Sequence, residues 1–372
     1  MAGLLRERAR FVRLAIFGLA LLTMVAPPAF AGAEPWGAAP DGSPAHLFRL
    51  QQGPVRAEFS DYGARLVGLY LPRRDGGEDN VLVGADQAAP WAGLWSVAGA
   101  MMGRYANRIG GGSFTLDGQT YALDRNQRGH TLHGGATAFN AQLWQAKPIR
   151  DGVEMRLSSA DGASGFPGRM DVVMRYRLRA RHGVARLSVD LRATSDKPTY
   201  ANFTNHAIFN LEGAGADWRG QDLRIAASRY TPMTSDGLPD GSFAPVAGQV
   251  FDARVPVAVE KLVEKGGLDV SLALDNGGRM APVAWLRAPQ SGRSLTVYTS
   301  EPGMQLFIPA RLPTVGARGG VGLCLEPQHF PDSPHQAAFP STLLRPGQTR
   351  QWHSVYLFRY KAAVGHPPIN SK

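Results

Sequence analysis

The chain has 372 residues, 40 Lys and Arg against 30 Asp and Glu, a formal net charge of +10, and one cysteine. Its basic residues are dispersed rather than gathered into a stripe with interleaved aromatics, which speaks against a nucleic-acid surface, and a lone cysteine excludes an intramolecular disulfide. A fold of this length without a covalent staple needs a large apolar core.

The first elements differ in kind from the rest. Arg6, Arg8, Arg10 and Arg13 precede the apolar run LAIFGLALLTMV, and APPAFA follows it. That order reads as a secretory signal peptide over residues 1–31, with Ala29 and Ala31 as the small residues before a cut near Ala31. The competing reading is an uncleaved anchor, but Leu14 to Val25 is shorter than the roughly 20 residues that cross a bilayer. The expected mature protein is therefore exported, periplasmic and free of the membrane. Cleavage removes four arginines and Glu7, so the charge falls from +10 to +7.

Residues 32–45, rich in Gly, Pro and Ala, read as a flexible lead-in. From 46 to 361 the texture is uniform: short runs of period two, separated by Gly, Pro, Asp and Asn. Val153, Met155 and Leu157 alternate with polar residues, as do Met170 to Leu178, and Ala185 to Leu191 after a turn at His182 and Gly183. These predict half-buried antiparallel strands. SFTLDGQTYAL sets Asp117 and Gly118 between two alternating runs, a hairpin signal, because such turns need positive φ. No run of ten or more residues carries a helical period. The pattern predicts one all-β domain, a large antiparallel β-sandwich, because short strands must bury their apolar faces against a second sheet. Residues 362–372 read as a frayed tail.

Three stretches carry candidate chemistry. In ANFTNHAIFN, Ala201, Phe203, Asn205, Ala207 and Phe209 share one strand face, and Asn202, Thr204, His206 and Ile208 the other. His206 thus points away from a core layer, as a structural, hydrogen-bonded histidine or as a catalytic one. In VGLCLEPQHFPDSP, Val321, Leu323 and Leu325 oppose Gly322, Cys324 and Glu326. Small neighbours leave space for a ligand beside Glu326, and Pro327 is expected to end the ladder; a strand-end glutamate in a salt bridge is the alternative. Finally, GRYANRIGGGSF and HTLHGG bring Asn107 and Arg108, donors suited to hydroxyl and ring oxygens, together with glycines that permit close approach. His130 and His133 have no Cys or carboxylate at zinc-ligand spacing, so no metal site is expected. Arg104 reads as a loop brace, and Cys324, Trp144 and Trp352 as packing residues.

These stretches together, in the order GRYANRIGGGSFTLDGQTYAL, HTLHGG, SSADGASGFPG, TNHAIFNLEG, YTPMTSDGLPDG and LCLEPQHFPDSPHQ, resemble the aldose 1-epimerase (galactose mutarotase) family over roughly residues 48–358. The resemblance implies a large β-sandwich with a sugar groove on one sheet, and interconversion of the α and β anomers of free aldohexoses such as glucose and galactose. It implies Glu326 as the base at the C1 hydroxyl and His206 as the acid at the ring oxygen. Asn107, Arg108, His133, Asp269 and Gln305 would bind sugar oxygens. The partner is a small aldose, and no cofactor or metal is implied. A carboxylate and an imidazolium side by side are expected to favour each other's charged forms. Departures from the family pattern fall at Ile208, Val270 and Phe307 to Ala310, where polar residues are usual, and predict a less polar wall.

The other functions such a scaffold suggests are a non-catalytic sugar binder, a phosphosugar epimerase, or a lyase or hydrolase. A phosphosugar site needs a basic cluster, and glycoside cleavage usually two facing carboxylates, where the sequence offers one persuasive candidate. If the leader is cut as read, the purified exported protein begins at residue 32. Mass spectrometry of the intact chain checks this; a membrane-bound product that retains Met1 would show an anchor.

Overall fold

The computed structural model describes residues 29–84, 96–263, 267–309 and 321–361. Most of the expected leader and the whole expected tail lie outside the described residues. The period-two runs fold as strands because alternation gives each a face to bury. Gly152–Ser159, Met170–Arg181 and Val184–Ser195 pair in sequence within a nine-stranded antiparallel sheet that continues through Arg350–Arg359, Arg293–Thr299 and Ala281–Ala288. The turn at His182 and Gly183 between two of these strands has φ of 49° and 74°, and the Asp117–Gly118 turn of a separate two-stranded hairpin, Ser113–Leu116 with Gln119–Ala122, has φ of 50° and 80°, the positive values expected. No helix among the described residues reaches seven residues.

A seven-stranded sheet lies opposite, running in order through Ala244–Pro245, Arg229–Thr231, Gly267–Ala273, Gly303–Pro309, Leu323–Gln328, Ile208–Phe209 and Leu82–Val83. The core fills the space between the sheets. Tyr176, Leu187, Val297 and Tyr356 from the first meet Phe209, Leu272, Leu306 and Leu325 from the second, all at most 2% exposed. Phe209 and Tyr356 touch across the gap with ring centroids 5.5 Å apart. A five-stranded sheet, Ala29–Ala38 through Glu78–Asn80, adds Leu50, Ala57 and Leu69 to the same core.

Four expectations are corrected. Within residues 32–45, whose composition predicts a flexible lead-in, 32–38 continue a strand that pairs with Pro44–Gln52. Trp36 fixes it by packing with Ala39, Leu47, Tyr62 and Val67, so one aromatic outweighs the Gly and Ala around it. Pro327 does not end its ladder, which runs on to a Gln328–Gly303 pair. Gly322 and Cys324 do not open space for a ligand: a Cβ at Gly322 would lie 2.5 Å from the Phe209 carbonyl oxygen, and Cys324 is packed with Ile208 and Val83. Small residues there let a neighbouring strand approach. Val270 faces the core, so its departure from the family pattern does not alter the cavity.

Leu325 is fully buried on the reverse of the strand that carries Glu326. Its truncation leaves a cavity beneath the site strand. Leu325→Ala should cost roughly 2–5 kcal/mol, read as a lower urea midpoint with an unchanged m value.

Candidate functional site

Lateral register places the site. Gly303–Pro309 pairs with Leu323–Gln328 so that Gln305 lies opposite Glu326 and Phe307 opposite Cys324. On the far edge of the same strand Cys324 pairs with Ile208 and Leu323 with Phe209. Extending that antiparallel register by two residues sets His206 opposite Glu326. Directly opposed residues project to the same side of a sheet, so two parallel rows stand on the outer face. One is Ser271, Gln305, Glu326 and His206; the other is Asp269, Phe307, Cys324, Ile208 and Val83.

His206 itself lies between the short strands Thr204–Asn205 and Ile208–Phe209, not inside one continuous strand. Here the chain changes partner: the His206 N–H donates to the Ala100 carbonyl at 2.9 Å, and its own carbonyl accepts from Gly99 N–H at 2.8 Å. The segment around residues 96–99 is held in turn by the buried Arg65 guanidinium, which donates to the Ala98 and Ser96 carbonyls. Ala201, Phe203, Ala207 and Phe209 are buried in the core, as their shared strand face predicts.

Seven expected side chains, His206, Glu326, Asn107, Arg108, His133, Asp269 and Gln305, line one cavity of about 410 Å³, a size typical of small-molecule sites. His206 Nε2 is 3.6 Å from Glu326 Oε1, and His206 Nδ1 is 3.5 Å from Cys324 Sγ. The His133 ring stands edge-on to His206 at 5.6 Å, and Phe307 closes another side at 5.9 Å. Asp269 accepts a hydrogen bond from the Gln305 amide and lies 3.8 Å from the Arg108 guanidinium.

Two loops complete the rim. Asn107 and His133 both hold left-handed backbone, φ 64° and 55°. They lock each other: Asn107 N–H donates to His133 Nδ1 at 3.2 Å, and His133 N–H to the Asn107 carbonyl at 2.9 Å. An Nδ1 that accepts carries no proton, so the neutral His133 ring presents Nε2–H. Next to it Gly134 sits at φ 98°, where a Cβ would come within 2.3 Å of the Gly103 carbonyl oxygen. Arg108 Nε donates to Gln127 Oε1 at 2.7 Å.

Burial sets the electrostatics. It pushes the Glu326 carboxyl well above the ordinary range, with Asp269 adding repulsion. Burial, with the charge on Arg65 acting in the same direction, lowers His206 to about 4. His133 is likewise held well below its usual value by burial, His206 and Arg108. The expectation of a mutually reinforced ion pair is therefore corrected: desolvation outweighs pairing, and both groups are driven toward their neutral forms.

Asn126, Gln127 and Asn140 line the cavity too, and no periodic signal marks them because they belong to connections. The second carboxylate, Asp269, shares the cavity with Glu326 but is engaged by Gln305 and Arg108. Among the described lining residues Arg108 is the sole Lys or Arg, so no basic cluster forms there. His206, Cys324 and Glu326 place ligating atoms within 4.8 Å of one another. Arg104 is a brace, donating to the Ser159, Ala160 and Pro167 carbonyls, and Trp144 and Trp352 are core residues.

Residues 46–357 match the model of the family described as aldose 1-epimerase. The chain is 33% identical to galactose mutarotase of Rattus norvegicus over 340 residues, 88% of this chain and 98% of that protein. It is 34% identical to aldose 1-epimerase of Escherichia coli K12, over 86% of this chain and 97% of that one. Among solved structures, galactose 1-epimerase from Lactobacillus acidophilus superimposes with a TM-score of 0.75 at 23% identity, covering 91% of this chain and 99% of that chain.

A carboxyl held neutral by burial destabilises the fold wherever the unfolded chain ionises. The raised folded value means that this penalty is absent below the unfolded value of 4.5 and grows as pH rises above it. Glu326→Gln should therefore be more stable than the parent at pH 7, by about 0.5–2 kcal/mol, with the gap closing below pH 4.5. Thermal melts across pH check this; equal melting temperatures at pH 7 would refute the buried neutral carboxyl.

Proposed function

The chain belongs to the aldose 1-epimerase family and is an isomerase, and on that premise we propose that it interconverts the α and β anomers of free aldohexoses such as glucose and galactose. The observation that supports this most directly is a carboxyl and an imidazole 3.6 Å apart on the wall of one sugar-sized cavity. Opening a hemiacetal requires a proton removed from the C1 hydroxyl and another delivered to the ring oxygen, and both acceptor and donor are then at hand.

In this reading Glu326 takes the C1 hydroxyl proton while His206 protonates O5. The C1–O5 bond breaks, the aldehyde turns about C1–C2, and reclosure on the other face runs both transfers backward. The pair holds one proton between them. Burial favours its place on Glu326; sugar hydroxyls that donate to the carboxylate favour its charged form and shift the proton to His206. Asn107, Arg108, His133, Asp269 and Gln305 hold the other sugar oxygens, with the His133 Nε2–H as a neutral donor. The cycle ends with both groups as they began and calls for no cofactor. The leader, read as a signal peptide, makes this an exported enzyme acting on sugars outside the cytoplasm.

Polarimetry of fresh α-D-glucose and α-D-galactose tests the reading. The mature protein should speed the decay of rotation, and Glu326→Gln and His206→Asn should each lose roughly 10²–10⁴-fold in kcat. Wild-type protein no faster than buffer would leave a binding protein on this scaffold. A second arm uses pH. Two protons on the pair block the cycle, so kcat/KM should hold level below neutrality and fall only as pH drops through about 4. A fall centred at the ordinary histidine value would show that His206 is not desolvated.

A further inference from the structure

Basic residues that lie scattered along the chain are gathered by strand pairing on the outer face of the nine-stranded sheet. Arg179 stands directly opposite Arg186, and the row continues across four more strands to Trp285 and Arg224. The next row on the same face, two residues further along each strand, carries Arg181, Arg359 and Arg287 and ends on Asp222, its one carboxylate. All these arginines are exposed. Like charges directly opposite each other destabilise a sheet, so the Arg179–Arg186 pair costs the fold something. The acids nearby do not offset it: Asp151 is engaged by Arg177 and Arg179, and Asp190 by Arg177 and His353. Arg181, Arg186, Arg287 and Arg359 enter no ion pair among the described residues.

We propose that this face is a docking surface for a linear anionic polysaccharide, laid across the strands so that its carboxylate or sulfate groups meet Arg179, Arg186, Arg359, Arg287 and Arg224 in turn. Those five arginines fall on five of the six strands that the rows cross. Neighbouring strands lie about 4.8 Å apart, close to the length of one sugar ring, and a guanidinium grips a carboxylate or sulfate with two parallel hydrogen bonds. The shape of the sheet favours a chain over a plane. Strands turn by roughly 20–25° from one to the next, so the rows wind through about a right angle; a flexible chain follows them and a flat lipid surface does not. None of the exposed large apolar side chains, Val250, Val255 and Met280, stands in these rows to enter a bilayer. Stacking on a nucleic-acid base is disfavoured because the Arg224 guanidinium already covers Trp285, 4.3 Å from the ring centroid. The cavity that holds His206 and Glu326 lies on the outer face of the opposite sheet, so a docked chain leaves it open.

Calorimetric titration of the mature protein with polygalacturonate, which carries carboxylates, and with heparin, which carries sulfates, tests the surface at about 50 mM salt. The triple variant Arg186→Ser, Arg287→Ser, Arg359→Ser should bind at least one of them about tenfold or more weakly than the parent, with the slope of log affinity against log salt reduced by roughly one per arginine removed. A control with the same loss of charge on exposed positions outside the rows, Arg74→Ser, Arg125→Ser, Arg279→Ser, should lose less than about threefold. Equal losses in the two triples would reduce the effect to net charge and overturn the inference, as would a parent that binds neither polymer. Tighter binding to phosphatidylglycerol vesicles or to a DNA duplex, lost in the same triple, would overturn the polysaccharide in favour of a membrane or a nucleic acid. Folding is checked by thermal melts: surface changes of this kind stay within about 0.5 kcal/mol each, and removing Arg186 relieves Arg179, so the triple should melt no lower than the parent. A clear drop would make these arginines part of the fold's own stability and sink the docking surface. None of these measurements depends on turnover, and mutarotation by the triple variant should be unchanged.

Discussion

Everything in the site depends on the register with which one strand, Leu323–Gln328, pairs on both edges. Gln305 opposite Glu326 on one side and Ile208 opposite Cys324 on the other are fixed by hydrogen-bonded ladders, and the reactive pair follows from those ladders by continuation. A slip of one residue would turn Glu326 into the core and Leu325 into the cavity. What forbids the slip lies on the reverse face, where Leu323, Leu325, Leu306 and Phe209 are buried against Tyr356 and its neighbours. The apolar core thus specifies the geometry of the chemistry without touching it.

The same burial that fixes position sets protonation. A glutamic acid and a histidine with side chains 2% and 6% exposed lie too far from water for their charges to be well solvated. Pairing alone does not restore them, because at 3.6 Å the contact is longer than a good charge-assisted hydrogen bond. Arg65 works against the imidazolium while its guanidinium braces the segment that anchors the His206 backbone. Burial therefore favours the neutral form of both groups. On the proposed function, a polar substrate would supply hydroxyl donors that favour the carboxylate.

Much of this was legible in sequence because strand alternation is local. The inward set of Ala201, Phe203, Ala207 and Phe209, the opposition of Leu325 and Glu326, and the hairpin at Asp117 and Gly118 all depend on residues adjacent in the chain. What was not legible depends on partners far away. That Gly322 and Cys324 are small to admit Ile208 requires knowing which strand lies beside them. That Val270 faces inward while Asp269 faces the cavity requires knowing which side of the sheet is covered. Trp36 orders a stretch whose composition reads as loop, because the edge of Pro44–Gln52 was open to it. Gln127, Asn126 and Asn140 carry no period at all.

Two kinds of specification meet at the cavity, and they differ in how far change can go. The row from Gln305 to His206 is held by long-range pairing across three chain segments, so altering one member disturbs ladders on both sides. The rim is held locally: Asn107 and His133 lock each other through backbone bonds and left-handed φ, and Arg108 is aimed by Gln127. On the proposed function, rim side chains would bind the sugar's oxygens and the row would move the protons. Recognition could then drift through the rim and through Phe307, the apolar side chain next to the imidazole, while the His206–Glu326 pair stays where the core puts it. The departures from the family pattern at Ile208 and Phe307 fall in the row that contains Cys324, beside the acid–base row and not within it. Phe307 makes part of the cavity wall apolar, whereas Ile208 is buried against Val83 and Cys324 and does not line it.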